Sequence, residues 1–115
     1  MDHIAKPAIV DGEIAQWRTG IRALSRRENV CCKLSGMITE ANWLSWTTTQ
    51  LQPYFDVFLE AFGPSRLMFG SDWPVMTVVS RYEDWIAVVS EMLAELSDGE
   101  ANSIMHGTAT KTYRL

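Results

Sequence analysis

Apolar positions along the chain fall into two kinds of segment. In the first kind they recur at helical spacing. Ile14, Trp17, Ile21 and Leu24 predict a helix over residues 13–27, with Asp11-Gly12 ahead of it and Arg22, Arg26 and Arg27 in its last turns, where cations suit the helix dipole. Leu51, Tyr54, Phe55, Phe58, Leu59 and Phe62 predict a second, with Pro53 in its first turn and Gly63-Pro64 as its stop. Tyr82, Trp85, Ile86, Val89, Leu93 and Leu96 predict a third, opened by a capping box of Ser80 with Glu83. Another capping box, Ser97 with Glu100, predicts a short helix through Met105, stopped by Gly107, with a final turn over 109–113.

In the second kind of segment the apolar run is short and nearly continuous. Residues 30–35 (Val30-Cys31-Cys32-Lys33-Leu34, closed by Ser35-Gly36) and residues 67–71, led by Arg66, read as buried strands. Residues 40–46 fit a helical turn or a loop. Strands alternating with amphipathic helices specify βαβ units, hence an α/β fold with parallel pairing and both sheet faces covered. Two parallel strands are too few for an independent sheet, so the pattern points to part of a larger architecture.

Composition narrows this reading. The chain has 115 residues, enough for one domain and too few for a complete (β/α)₈ barrel of about 250. Apolar residues make up 47% and charged residues 21%, ordinary globular usage. A net charge of −4 speaks against a nucleic-acid partner. No apolar run has the length of a membrane span, and Met1-Asp2-His3 does not begin a signal peptide. The two cysteines, Cys31 and Cys32, are adjacent and offer no disulfide framework, which suits a reducing, cytoplasmic setting.

The sharpest chemical signal is Phe69-Gly70-Ser71-Asp72-Trp73-Pro74. A carboxylate directly after a buried parallel strand stands where α/β folds place catalytic groups, and it can act as a general base or a metal ligand. It can equally cap the following loop. His3, near the start, fits a surface residue or a site residue. Lys33 interrupts a buried strand; by alternation it shares a face with Cys31 and Ser35. Its ammonium must therefore face a polar site or reach solvent from an edge. Trp17 and Trp85 match helix stripes and belong to the core. Trp43 and Trp46 follow a strand end, where they can pack or wall a pocket. His106 sits at a helix end, where the dipole accounts for it.

Taken together, these residues resemble the C-terminal part of the amidohydrolase-related family, and within it the sugar lactonases. The matching stretches are Asp2-His3-Ile4-Ala5-Lys6-Pro7, Asn29 through Met37 with its Lys33-Leu34-Ser35-Gly36, Pro53-Tyr54-Phe55, Ala61 through Val75, and Ala109 with Tyr113-Arg114-Leu115. The resemblance implies that residues 1–115 are a partial barrel domain, running from the end of strand six through strand eight and the C-terminal helices. The interval from His3 to Asp72 holds two βα units of about 30 residues. It implies hydrolysis of a sugar lactone by base-activated water, with Asp72 as base and His3 assisting. Beyond what the resemblance carries over, Lys33, Trp43 and Trp73 are expected to bind substrate. The resemblance further implies one divalent metal, zinc, in the complete fold, with His3 and Asp72 as an incomplete ligand set that this chain alone does not hold tightly. The His-x-His pair of the family's first strand is absent. Two readings follow: a piece of a lactonase-type hydrolase, or a non-catalytic half-barrel that self-associates or pairs with a missing N-terminal portion.

Overall fold

A computed structural model describes all 115 residues. Its centre is a two-stranded parallel sheet of β1 (Cys32–Leu34) and β2 (Leu67–Phe69), in which Cys32 pairs with Leu67, Lys33 with Met68 and Leu34 with Phe69. Both strands are shorter than the apolar runs predict, because the ladder ends where the chain turns off at Ser35-Gly36 and Gly70-Ser71. On the other side of β1 the backbone of Met1 behaves as a third ladder partner. Its amino group donates to the Cys31 carbonyl at 2.7 Å, and the Lys33 N–H donates to the Met1 carbonyl at 2.9 Å, the alternation of a parallel bridge.

Side-chain alternation gives the sheet two different faces. Cys32, Leu34 and Leu67 are fully buried in one apolar cluster with Ile21, Leu51, Phe55, Phe58, Val89 and Trp85. Those partners come from α1 (Ala15–Ser25), α2 (Thr48–Phe62) and α3 (Tyr82–Met92). Trp17 stands edge-on to Phe58 with ring centroids 5.1 Å apart, tying α1 to α2. Lys33 and Met68 occupy the opposite face beside Thr112 and Tyr113. The Cα radius of gyration, 13.3 Å, is that expected of a closed domain of this length. No helix is long and apolar enough to cross a membrane.

Three helix ends differ from expectation. Thr47 caps α2 by accepting the Gln50 N–H at 3.2 Å, so the helix starts a turn earlier and Pro53 falls in its second turn, on the solvent side. Ser80 caps nothing: Arg81 is the N-cap of α3, and its guanidinium grips Asp84 through two bonds of 3.0 and 2.8 Å. The capping box of Ser97 and Glu100 does form, at the start of α4 (Asp98–Asn102). Gly107, however, stops nothing. It has helical φ of −61° and joins a π-helical turn (Ser103–Gly107) to α5 (Thr108–Tyr113).

Candidate functional site

The site is built where the chain leaves the two strands. Beyond β1 the chain passes through Ser35 and Gly36, and beyond β2 through Gly70 and Ser71 to Asp72. His3 Nδ1 lies 3.2 Å from Asp72 Oδ1 and 3.1 Å from the Ser35 hydroxyl. Thus the structure brings together two residues singled out in the sequence and adds a third, Ser35, which is 1% exposed. The His3 side chain keeps 35% of its surface open and that of Asp72 only 11%, so the imidazole is the more reachable partner. The hydrogen bond to Nδ1 is the Ser35 hydroxyl's, the Asp72 carboxylate stands beside the same nitrogen as an ion-pair contact, and Nε2 has no partner.

Both residues stand on unusual backbone. His3, Ile4, Ala5 and Lys6 all have positive φ, between 45° and 54°, and Asp72 has φ of 61°. None is glycine, and left-handed backbone costs about 1–2 kcal/mol per residue with a Cβ. The turn at His3–Lys6 persists because its surroundings hold it. Ile4 is fully buried, its carbonyl accepts the Trp17 indole N–H at 3.0 Å, and the Lys6 N–H closes onto the His3 carbonyl at 2.8 Å. Lys6 also pairs with Glu40 at 2.6 Å, and that carboxylate raises the ammonium's pKa above its ordinary value. On the other side, the buried Trp85 donates its indole N–H to the Gly70 carbonyl at 2.9 Å. Two core indoles therefore anchor the two segments that carry His3 and Asp72. Backbone strained in this way clusters at functional sites.

Gly36 and Gly70 make room for the contact. A Cβ on Gly36, which has φ of 67°, would come within 2.9 Å of the His3 Cβ. A Cβ on Gly70 would meet that of Ser35 at 3.0 Å.

Lys33 lies elsewhere. Its Nζ is 3.0 Å from Asp2 Oδ1 and 5.5 Å from the Tyr113 ring centroid. Hydrogen bonding to Tyr113 and then Asp2 raises its pKa, and Lys33 in turn holds the Asp2 carboxyl below its ordinary value. This group lines a cavity of about 260 Å³ with Met1, Asn29, Met68 and Thr112, to which neither His3 nor Asp72 contributes. The charge inside the strand is thus explained by an ion pair rather than by the site or by an edge. Trp43 is 55% exposed with its indole N–H on the Thr39 carbonyl; Trp73, beside Asp72, is 68% exposed. Neither indole hydrogen-bonds to the His3–Asp72 pair. His106 is exposed at the π turn.

No group of three or more His, Cys, Asp or Glu residues is arranged to hold a metal. A catalytic zinc takes three protein ligands and a water. His3 and Asp72 alone do not meet that requirement.

This arrangement of parallel strands, with a polar pair at their C-terminal ends, has a family. The amidohydrolase family model matches residues 1–115, and the chain belongs to that family, whose fold is a TIM barrel of which two adjacent strands are present here. Its relatives include an L-fucono-1,5-lactonase of Burkholderia multivorans, 40% identical over all of this chain and 42% of that protein. An L-fucono-1,5-lactonase of Burkholderia ambifaria is 34% identical over all of this chain and 41% of its own length. The crystal structure of an amidohydrolase from Burkholderia multivorans with bound zinc superposes with a TM-score of 0.92 at 40% identity, over 99% of this chain and 43% of that one. The chain therefore spans about two-fifths of the length of the relatives it matches.

Sequence reasoning named His3, Asp72 and Lys33 but missed Ser35 as the partner of His3 and Asp2 as the partner of Lys33. The signal for Ser35 was its strand-end place on the face of Lys33. Nothing local announced Tyr113, which reaches Lys33 from the far end of the chain.

Proposed function

We propose that this chain carries the general-base end of a sugar-lactone hydrolase. The observation that carries the reading is the His3–Asp72 contact at the C-terminal ends of adjacent parallel strands, the end where barrel enzymes work. The ladder bonds of Met1 support reading Met1–Asp2 as the end of the sixth strand, with β1 and β2 as the seventh and eighth.

In this reading the Asp72 carboxylate takes a proton from water. The resulting hydroxide adds to the lactone carbonyl, the ring C–O bond breaks, and the alkoxide takes up a proton to give the open hydroxy acid. His3, with its ring proton on the Asp72 side, presents a lone pair at Nε2, which accepts a hydrogen bond from the attacking water or would hold the metal. Trp73 and Trp43, exposed on the loops after β2 and β1, supply walls for a sugar face. Lys33, spent on Asp2, has no part. The complete barrel would take one zinc, its remaining ligands coming from strands this chain does not contain. The two free thiols support a reducing, cytoplasmic setting.

Release of acid from L-fucono-1,5-lactone tests the proposal in two proteins. One is the 115-residue chain; the other is a composite in which it replaces the matching segment of the Burkholderia multivorans lactonase. The composite should turn over and the chain alone should not. A folded composite that hydrolyses no sugar lactone contradicts the proposal.

A further inference from the structure

We propose that Ser35 is a positioning residue for His3, controlling which ring nitrogen faces outward. The inference rests on His3 being a site residue, but its test reads the imidazole itself and not lactone turnover, so the two can fail separately.

The Ser35 hydroxyl is buried, and its one side-chain hydrogen-bond partner is His3 Nδ1 at 3.1 Å. The same nitrogen faces Asp72 Oδ1 at 3.2 Å. The hydrogen bond to Nδ1 is the serine's, the carboxylate stands beside that nitrogen as a charge, and Nε2 carries no bond. The two partners differ in kind. The carboxylate's charge favours a proton on Nδ1. A hydroxyl both donates and accepts, so Ser35 accommodates that proton; when the carboxylate is removed, the buried O–H, which has no other acceptor, donates to Nδ1. Either way Ser35 holds the ring at Nδ1 and leaves Nε2 as the presented atom. The slot is shaped for this: Gly70 leaves space beside the Ser35 Cβ, and Gly36 leaves space beside the His3 Cβ. A serine needed only as filler would not require a bare neighbour on the next strand and its hydroxyl on a ring nitrogen at once.

The experiment is ¹⁵N NMR of the histidine side chains in the 115-residue chain with both rings neutral. Exposed His106 is the internal reference, and far-ultraviolet circular dichroism confirms folding of each variant. In the parent, His3 should carry its proton on Nδ1. Asp72→Gly removes the carboxylate and suits the positive φ. With Ser35 then the one remaining partner, the ratio of the Nε2–H to the Nδ1–H tautomer should exceed that at His106 by about fivefold, the size of one net hydrogen bond. Adding Ser35→Ala should return His3 to the ratio of His106. Gly70→Ala in the Asp72→Gly background should do the same by displacing the hydroxyl. The proposal is overturned if His3 of Asp72→Gly already matches His106. It is equally overturned if the ratio in folded Asp72→Gly/Ser35→Ala equals that of Asp72→Gly.

Discussion

His3 Nδ1 and Asp72 Oδ1 meet at 3.2 Å, each from a left-handed residue. Neither position is chosen for backbone comfort, and both are tied to the core by an indole N–H. The energetics of the site therefore lie largely in what holds the two segments in place.

The left-handed turn makes one prediction. Ala5 is exposed, has φ of 54°, and loses almost no packing on truncation. Ala5→Gly should stabilise the chain by up to ~1 kcal/mol, relief of left-handed strain outweighing the added freedom of the unfolded chain. Urea denaturation at equilibrium measures it. Destabilisation by Ala5→Gly would mean that the turn is not left-handed in solution.

A second prediction concerns the indole anchors. Trp85→Phe keeps most of the buried ring but leaves the Gly70 carbonyl without its donor. It should cost about 1–3 kcal/mol from the orphaned carbonyl and the smaller ring, again read from urea midpoints. A neutral Trp85→Phe would remove this indole from the account of how Asp72 is placed.

The helix caps supply a third. Ser97 makes both bonds of a capping box, whereas Ser80 does not cap α3. Ser97→Ala should cost about 1 kcal/mol and Ser80→Ala less than about 0.5 kcal/mol. The reverse order would restore the capping box expected at Ser80.

That contrast shows what the residues reveal by themselves. The stripes of α1, α2 and α3 are legible because one apolar face faces one core. Caps are less so, since a serine three positions before a glutamate forms a box only if the chain enters the helix there; at Ser80 the Arg81–Asp84 pair takes over. Gly107 reads as a stop, yet it stays helical because Ile104 and Thr108 on either side are buried and the Thr108 hydroxyl bonds the Pro64 carbonyl. Packing there overrides a weak propensity. Asp72 was legible from its place after a strand. The turn at His3–Lys6 was not, because it contains no glycine and depends on a distant tryptophan.

The adjacent cysteines give a fourth prediction. Burial pushes the Cys32 thiol up to about 12, while Cys31 is only partly covered. In the folded chain one thiol should react readily with a disulfide reagent at pH 8 and the other only on unfolding. With its pKa raised above the unfolded value, Cys32 leaves stability intact below about pH 9. Stability is lost as pH rises from there towards 12, and Cys32→Ala should flatten that loss. Equal reactivity of the two thiols in the folded chain would contradict the placement of Cys32.

The central claim is that Asp72 activates water in a sugar-lactone hydrolase, and kcat/KM of the composite barrel for L-fucono-1,5-lactone tests it most directly. Asp72→Asn, with folding confirmed, should lower kcat/KM at least about 100-fold, the scale of a lost general base. A value within about threefold of the parent, less than one hydrogen bond's worth, would contradict it.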